Sequence, residues 1–217
     1  MSDAPPRGRF ITLEGGEGAG KSTQIARLAD ALRKSGLTVR TTREPGGSPA
    51  AETIRKLLVE GEPGRWQPMT EALLHFAARK EHLETVVLPA LASGDWVISD
   101  RFADSTMAYQ GYGHRLGRAP ITALYQIAVG DFRPDLTLVL DLPVEAGLAR
   151  TGGRSHAEDR YERMDRSFHE RVRTGFLEIA RGEPERCVVV DATGNLERVT
   201  ALVFEAVATR LKVPVKV

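Results

Sequence analysis

Eight residues near the start of the chain match a phosphate-binding loop. They read Gly15-Gly16-Glu17-Gly18-Ala19-Gly20-Lys21-Ser22 and fit the pattern G-x-x-x-x-G-K-[ST]. A strand-like segment precedes them, and a helix-like stretch begins at Thr23. Glycines let consecutive backbone N–H groups surround a polyphosphate, and the helix adds the positive end of its dipole. The segment predicts ATP or GTP binding by residues 15–23, with a glycine-rich turn carrying an exposed lysine as the alternative.

Within this loop, two side chains have predicted contacts. Lys21 reaches the β- and γ-phosphates of the nucleotide, and the Ser22 hydroxyl binds Mg²⁺. The loop therefore predicts both a nucleotide and a metal ion.

The composition excludes several classes of protein. The 217 residues suit one α/β domain, and hydrophobic and charged fractions of 41% and 27% are those of a globular chain. A net charge of +1 argues against a nucleic acid polymer or an anionic membrane as partner. No apolar segment reaches 18 residues, and Cys187 is the single cysteine, which favours a reducing compartment. We therefore expect a cytoplasmic protein.

Short apolar segments alternate with helical stretches along the chain. Strands are predicted over residues 10–13, 39–42, 96–99, 136–141 and 188–191, and helices over 23–34, 50–60, 70–91, 120–130, 144–150, 165–181 and 196–211. Continuous apolar strands separated by helices predict a doubly wound, five-stranded parallel sheet with helices on both faces. Ligands of such sheets bind at the carboxyl ends of the strands.

The segment 150–163 differs from the rest of the chain. It is interrupted by glycine, rich in arginine and poor in apolar side chains, so it does not belong to a core. We interpret it as a short mobile lid whose arginines close over phosphates, and a solvated charged hairpin is the alternative. The expected organisation is one domain over residues 1–217, with a disordered-like N-terminus over about residues 1–8.

Some nucleotide-binding classes are excluded by missing motifs. Asn195 is the single asparagine and precedes Leu196, so the Asn-Lys-x-Asp motif of guanine-specific switches is absent, and so is the Leu-Ser-Gly-Gly-Gln signature of transporter ATPases. A small phosphotransferase with a cleft for a second substrate remains. Phosphoryl transfer requires charge neutralisation around the moving group, and arginines outside the loop supply it. Arg43, Arg55, Arg79 and Arg101 lie at predicted strand ends or on flanking helices.

Seven motifs spread over nearly the whole chain carry a family resemblance. They are Phe10-Ile11-Thr12-Leu13-Glu14-Gly15, Thr42-Arg43-Glu44-Pro45-Gly46-Gly47, Phe76-Ala77-Ala78-Arg79, Asp100-Arg101-Phe102, Ala108-Tyr109-Gln110-Gly111, Pro134-Asp135-Leu136-Thr137 and Asp159-Arg160-Tyr161-Glu162. With them the chain resembles the bacterial thymidylate kinases, which are nucleoside monophosphate kinases of the P-loop NTPase type. The resemblance implies a homodimer that phosphorylates dTMP to dTDP with ATP and Mg²⁺. A broader deoxynucleoside monophosphate kinase that accepts dUMP, and a nucleotide-dependent binding protein without phosphotransfer, are the alternatives.

The resemblance also implies roles near the phosphates. Asp100 lies at Mg²⁺ together with Ser22, and Arg101 holds the dTMP phosphate. Arg55 is similar to a second arginine that lines the monophosphate site. Glu17 matches a carboxylate that faces the acceptor sugar or the magnesium shell.

Other implied roles concern the base and the sugar. Arg79 resembles the residue that reads the thymine carbonyl edge, and Thr106 and Gln110 complete the polar contacts. Tyr109 resembles a ring beneath the deoxyribose, where a 2′-hydroxyl would clash. Glu44 adds to the acidic side of the acceptor site.

Three lid arginines take roles by resemblance, because the phosphate loop itself contains no arginine. Arg154 is the first candidate for the catalytic arginine and Arg160 the second. Arg150 resembles a residue packed over the adenine. Helix capping, or surface ion pairing with Glu158 and Asp159, is the alternative for each of them.

His75 departs from the family pattern, which places phenylalanine at this position to stack on the base. His75 and Arg79 are four residues apart on one predicted helix and therefore share a face. A neutral imidazole stacks on a pyrimidine with less apolar area. Because histidine ordinarily titrates near pH 6.5, we expect dTMP affinity to weaken below about pH 6.

Overall fold

A computed structural model describes residues 7–151 and 159–215 of the chain. Five strands form its centre: β1 (Phe10–Glu14), β2 (Val39–Arg43), β3 (Trp96–Asp100), β4 (Leu136–Asp141) and β5 (Cys187–Asp191). They pair in the order β2-β3-β1-β4-β5, and every pair is parallel. The predicted five-stranded parallel sheet is confirmed, and each strand matches its prediction to within one residue at either end.

Helices flank the sheet. They are α1 (Lys21–Lys34), α2 (Pro49–Val59), α3 (Pro68–His82), α4 (Leu88–Ala92), α5 (Ala103–Thr106), α6 (Arg118–Ala128), α7 (Val144–Thr151), α8 (Arg166–Gly182) and α9 (Leu196–Leu211). A π-helical segment, Leu83–Val87, joins α3 to α4, and a second, Met107–Gly113, continues α5. All seven predicted helical stretches are present. Helix α5 and the π-helical segment after it were not predicted.

The alternation of side chains along β1 shows how both faces of the sheet are covered. Ile11 and Leu13 point into a core with buried residues of α1 and α9, such as Leu28 and Val203. Phe10 points to the opposite face, where it packs in a second core with residues of α3 such as Phe76. Because β1 is buried on both faces, the loop that follows it is accessible to a ligand at the carboxyl edge of the sheet.

Two residues of the predicted disordered-like N-terminus, Arg7 and Gly8, are among the described residues. Residues 1–6 lie outside the described residues, whereas Arg7 and Gly8 belong to the fold. The Gly8 N–H donates to the carbonyl oxygen of Leu91 at 2.9 Å, and Arg7 Nη1 lies 3.2 Å from Asp135 Oδ2. The predicted disordered-like segment of about eight residues therefore does not extend to residues 7 and 8.

The predicted lid lies only partly within the described ranges. Residues 150 and 151 end α7, residues 159–163 form a turn, and residues 152–158, which include Arg154, lie outside the described residues.

Among residues 7–151 and 159–215, none of the helices is both long and apolar enough to cross a membrane.

Candidate active site

The phosphate-binding loop joins β1 to α1, as predicted. Gly15, Gly18 and Gly20 have φ angles of 132°, 67° and 89°, which L side chains rarely adopt. Gly18 also lies against α7, where an added Cβ would sit 2.1 Å from the carbonyl oxygen of Gly147. The loop conformation therefore depends on glycine at these positions, for backbone reasons and for close packing.

Lys21 folds back over this loop. Its Nζ donates to the carbonyl oxygens of Gly15 at 3.2 Å and Gly16 at 2.9 Å. Burial and the nearby Arg101 lower the pKa of Lys21 to about 8, against the attraction of Glu17 and other carboxylates. A bound polyanion strongly stabilises the charged form of a buried ammonium in such surroundings.

The Ser22 hydroxyl meets the carboxyl end of β3. Its Oγ donates to Asp100 Oδ2 at 3.0 Å. Hydroxyl and carboxylate oxygens are ligands of Mg²⁺, which is usually held by one or two carboxylates together with substrate phosphates. Among the described residues, there is no group of three or more His, Cys, Asp or Glu side chains that could hold a metal ion. The residues present therefore fit a magnesium ion shared with phosphates.

Arg101 has a left-handed backbone conformation, with φ of 71°. Its Nη1 donates to the Gly15 carbonyl at 3.0 Å and to Ser105 Oγ at 3.1 Å, and its Nη2 donates to Glu17 Oε1 at 3.0 Å. Burial alone would lower the pKa of Arg101, but Tyr109, Glu17 and other acidic groups raise it above its usual value. Arg101 is therefore a permanent cation at the edge of the phosphate-binding loop.

Glu17 is the acidic member of this pair. Its Oε1 also accepts a hydrogen bond from the Tyr109 hydroxyl at 2.6 Å. Burial by itself raises the pKa of Glu17, but attraction to Arg101 and Lys21 and the bond from Tyr109 lower it to about 2. Glu17 therefore stays ionised, and it links the phosphate-binding loop to the segment after β3.

A cavity opens beside the loop. Its lining includes seven of the eight predicted substrate residues, namely Glu44, Arg55, His75, Arg79, Arg101, Tyr109 and Gln110. The eighth, Thr106, lies behind Arg79 and accepts a hydrogen bond from Arg79 Nη2 at 3.0 Å. The structure thus brings together residues that are up to 66 positions apart in the sequence, from Glu44 to Gln110.

Arg79 and Gln110 each have one buried polar atom without a hydrogen-bond partner among the described residues. Arg79 Nε donates to Glu44 Oε2 at 2.7 Å, while its Nη1 has no hydrogen-bond partner within the part of the chain that the structure describes. Gln110 Nε2 donates to Glu71 Oε1 at 2.6 Å, and Gln110 Oε1 likewise has no partner there. Such atoms are costly when buried. Within the described residues, Arg79 therefore has a spare donor and Gln110 a spare acceptor, and both residues line the cavity.

Glu44 lines the cavity, as the acceptor-site role requires, and its carboxylate is also bonded to neighbouring side chains. Its Oε2 accepts from Arg79, and its Oε1 lies 3.0 Å from His82 Nδ1. Both carboxylate oxygens are used, although the residue lines the cavity. Glu44 fixes the guanidinium of Arg79, and Arg55 Nη1 donates to the next carbonyl, that of Pro45, at 2.8 Å.

His75 lines the cavity, with its Nε2 2.8 Å from the Tyr161 hydroxyl oxygen. Burial lowers the pKa of His75 to about 3, and the charge of Glu71 only partly offsets this effect. The imidazole is therefore neutral between pH 5 and pH 8. Our expectation that dTMP affinity weakens below about pH 6 through this histidine is wrong, because the burial that brings the ring to the cavity also prevents its protonation.

Arg160 does not occupy the position expected of a catalytic arginine. Its guanidinium is 1% exposed and donates to the carbonyl oxygens of Leu58, Glu62 and Pro63 at 2.9 to 3.0 Å, and to Glu71. It is absent from the lining of the cavity. These contacts give Arg160 a structural role in this conformation.

Of the other two lid arginines, Arg150 and Arg154, only Arg150 lies within the described residues. Arg154 lies outside the described residues. Arg150 Nη1 lies 3.5 Å from the carbonyl oxygen of Gly18, beside the phosphate-binding loop.

Sequence reasoning missed several residues of the cavity. Its lining also includes Pro45, Val59, Phe102, Ser105, Tyr161 and Glu162. Pro45 and Phe102 lie inside motifs in which only the charged neighbours were assigned a role. Tyr161 directly follows Arg160. An aromatic residue within a charged segment was the available signal for Tyr161.

Comparison with known proteins gives concordant matches. The family model described as thymidylate kinase matches residues 13–203. The chain is 56% identical over 205 residues to a thymidylate kinase of Caulobacter vibrioides, with 94% of this chain and 98% of that protein covered. It is 51% identical over 218 residues to one of a Bradyrhizobium species, with 97% and 96% covered. It is also 51% identical over 203 residues to one of Alkalilimnicola ehrlichii, with 94% of each covered.

Proposed function

The chain belongs to the thymidylate kinase family, and we propose that it transfers the γ-phosphoryl group of ATP to dTMP, giving ADP and dTDP. One observation carries this proposal. The cavity is lined by Arg79 and Gln110, which have a donor and an acceptor without a partner in the described part of the chain. It lies next to the phosphate-binding loop, and Arg101 and Glu17 contact both. The two substrates thus have adjoining sites in one domain.

On the donor side, we propose that residues 15–23 bind the ATP phosphates. Lys21 Nζ moves from the carbonyls of Gly15 and Gly16 onto the β- and γ-phosphates, where charge develops during transfer. Ser22 and Asp100 would hold Mg²⁺, which supplies positive charge to the β- and γ-phosphates when bound. Arg150, close to Gly18, packs over the adenine.

On the acceptor side, Arg101 and Arg55 hold the dTMP phosphate. Both residues line the cavity, and a guanidinium binds phosphate oxygens through two parallel hydrogen bonds. Arg101 also donates to the carbonyl oxygen of Gly15, and this hydrogen bond fixes its position relative to the phosphate-binding loop. Such fixed positioning of two reactants contributes a large share of phosphoryl-transfer catalysis.

The base is read by Arg79 and Gln110. Arg79 Nη1 donates to O4 of thymine, and Gln110 Oε1 accepts from N3–H. Cytosine presents the reverse pattern, an amino donor at position 4 and an acceptor at N3, and mismatches both groups. Uracil presents the same edge as thymine without the methyl group, so dUMP is a weaker substrate in this account.

The sugar and the lid complete the site. The Tyr109 ring lies beneath the deoxyribose, with its hydroxyl held by Glu17, and His75 stacks on the base. Arg154 supplies positive charge to the transferring phosphoryl group when the lid closes. The protein is also proposed to be cytoplasmic and to form a homodimer. Exposed apolar side chains on neighbouring helices, such as Leu73 and Ile127, support the homodimer.

A panel of nucleoside monophosphates tests this function. With MgATP as donor, ADP formation is measured in a coupled assay for dTMP, dUMP, dCMP, dGMP and AMP in turn. We expect dTMP to have the highest kcat/KM, followed by dUMP. Equal rates for dTMP and dCMP would contradict the assigned base contacts, and ATP hydrolysis without any acceptor dependence would contradict phosphotransfer.

A further inference from the structure

Glu71 is a fully buried carboxylate that has no role in the proposed reaction so far. It lies on α3, four residues before His75 and eight before Arg79, and therefore on the same face of that helix. Its Oε1 accepts from Gln110 Nε2 at 2.6 Å and lies 3.2 Å from His114 Nε2. Its Oε2 accepts from Arg160 Nη2. One carboxylate thus joins α3, the π-helical segment Met107–Gly113 and the end of the lid.

The chemistry of this contact fixes the direction of the Gln110 amide. An ionised carboxylate only accepts hydrogen bonds, whereas an amide has a donor end and an acceptor end. With Glu71 on one side, the NH₂ group of Gln110 must face Glu71, and Oε1 must face away from it. Oε1 is the buried atom without a partner among the described residues, and Gln110 lines the cavity.

The ionised form of Glu71 is itself secured by its neighbours. Burial alone raises the pKa of Glu71, but the nearby His114 and the charges around the carboxylate, including Arg160, lower the pKa to about 2. The carboxylate is therefore an obligate acceptor over the whole physiological pH range.

We propose that Glu71 is a specificity-determining positioning residue that holds Gln110 with its amide oxygen toward the base and so makes the cavity reject cytosine. The proposal rests on the proposed function. With Gln110 Oε1 as acceptor and Arg79 Nη1 as donor, the cavity matches the O4 and N3–H of thymine. If the Gln110 amide were free to rotate by 180°, its NH₂ group would donate to N3 of cytosine as readily as its oxygen accepts from N3–H of thymine. Gln110 would then no longer discriminate between the two bases.

The substitution Glu71→Gln tests this assignment, because Arg160 determines the orientation of the new amide. Arg160 only donates, so the new amide oxygen faces Arg160 and the new NH₂ group faces Gln110. Gln110 must then turn its own oxygen inward and present NH₂ to the cavity. We expect the ratio of kcat/KM for dTMP to kcat/KM for dCMP to fall by about tenfold or more, since a matched hydrogen-bonding pair discriminates bases by at least that factor. The KM for ATP should not change.

The matched control is Glu71→Asp, which keeps an acceptor-only group and should keep the dTMP to dCMP ratio within about threefold even where both rates fall. Equal losses toward dTMP and dCMP in Glu71→Gln, with the ratio unchanged, would show that Glu71 only supports the fold and would overturn the proposal. Failure of the wild-type protein to phosphorylate dTMP would instead overturn the proposed function, so the two failures are distinguishable.

A measurement on the wild-type protein covers the case in which Glu71→Gln does not fold. In ¹⁵N-labelled protein, the side-chain NH₂ resonances of Gln110, assigned by their loss in Gln110→Met, should exchange slowly with water in the absence of nucleotide. They should change little on addition of dTMP, because the NH₂ group already bonds to Glu71. Fast exchange in the nucleotide-free protein, or a large change in these resonances when dTMP binds, would overturn the proposal.

Discussion

Arg101 and Glu17 form an ion pair, with 3.0 Å between Nη2 and Oε1, that joins the phosphate-binding loop to the neighbouring cavity. Glu17 belongs to the loop, and Arg101 lines the cavity and also donates to the loop carbonyl of Gly15. The Tyr109 hydroxyl bonds to the same Glu17 oxygen. A change in the phosphate-binding loop therefore directly affects residues of the cavity, and the reverse also holds.

Lys21→Ala tests the donor side. Loss of the ammonium removes an electrostatic clamp on the transferring phosphoryl group, and we expect kcat/KM to fall by about a thousandfold or more with the fold intact. The control is Lys34→Ala, at the exposed far end of α1, which should have normal rates. Near-normal activity of a folded Lys21→Ala protein would argue against the assigned phosphate contact.

Tyr109 variants test the sugar contact. Tyr109→Ala opens space below the ribose, so the ratio of kcat/KM for dTMP to that for its ribonucleotide should fall about tenfold or more. Tyr109→Phe keeps the ring and removes only the bond to Glu17, so it should keep this ratio while lowering the rates. The two ratios are measured with the same preparation of MgATP. If both variants discriminate like the wild type, Tyr109 is a packing residue that does not contact the sugar.

Two arginines of the predicted lid should separate activity from stability. Arg154→Ala should lower kcat strongly with little change in the KM for dTMP, as expected when a charge acts mainly in the transition state. Arg160→Met leaves the buried Glu71 carboxylate without its cationic partner, so the free energy of unfolding should fall by about 3 to 5 kcal/mol. Steady-state kinetics and urea unfolding of both variants make the comparison. A stable Arg160→Met protein with a low kcat would reverse these assignments.

His75 should make stability depend on pH. The pKa of His75 is about 3 in the folded protein and near 6.5 in an unfolded chain, so the unfolded state binds more protons between these values. The free energy of unfolding therefore falls as the pH drops through 6.5 toward 3. At pH 5 the loss from this group is on the order of 2 kcal/mol.

Comparison with His75→Phe isolates this effect, because the two proteins share the other titrating groups. Urea unfolding at pH 7 and pH 5 should show a larger loss for the wild-type protein than for the variant. Identical losses in the two proteins would mean that His75 is accessible to protons in the folded state.

Strands β1, β3 and β4 were predictable because they are short, largely apolar runs that are almost fully buried. Strands β2 and β5 have exposed residues and were predictable from their β-branched side chains. Helix α5 and the π-helical segment Met107–Gly113 were not, since polar residues and glycines interrupt any apolar period there. This segment is held by tertiary packing instead: the buried Tyr109 ring lies 6.0 Å from Phe168 and 6.2 Å from Phe176, between ring centroids.

The site residues were predictable to different degrees for a related reason. Lys21 and Ser22 follow from one local motif, whereas the pairing of Arg160 with Glu71 joins residues 89 positions apart. A charged segment gives no sign of which of its arginines is buried. The low pKa of His75 was also beyond the sequence, since it depends on how fully the neighbouring elements cover the ring.

Phosphorus-31 NMR of the complete reaction follows the proposed phosphoryl transfer itself. The protein is incubated with MgATP and dTMP, and the products are identified and integrated over time. We expect dTDP and ADP in equal amounts, with no ATP consumed when dTMP is omitted and ATP consumption slowed by about a thousandfold or more in Lys21→Ala at the same concentration. Formation of ADP and inorganic phosphate without dTDP, or no consumption of ATP at all by the folded wild-type protein, would contradict the proposed transfer.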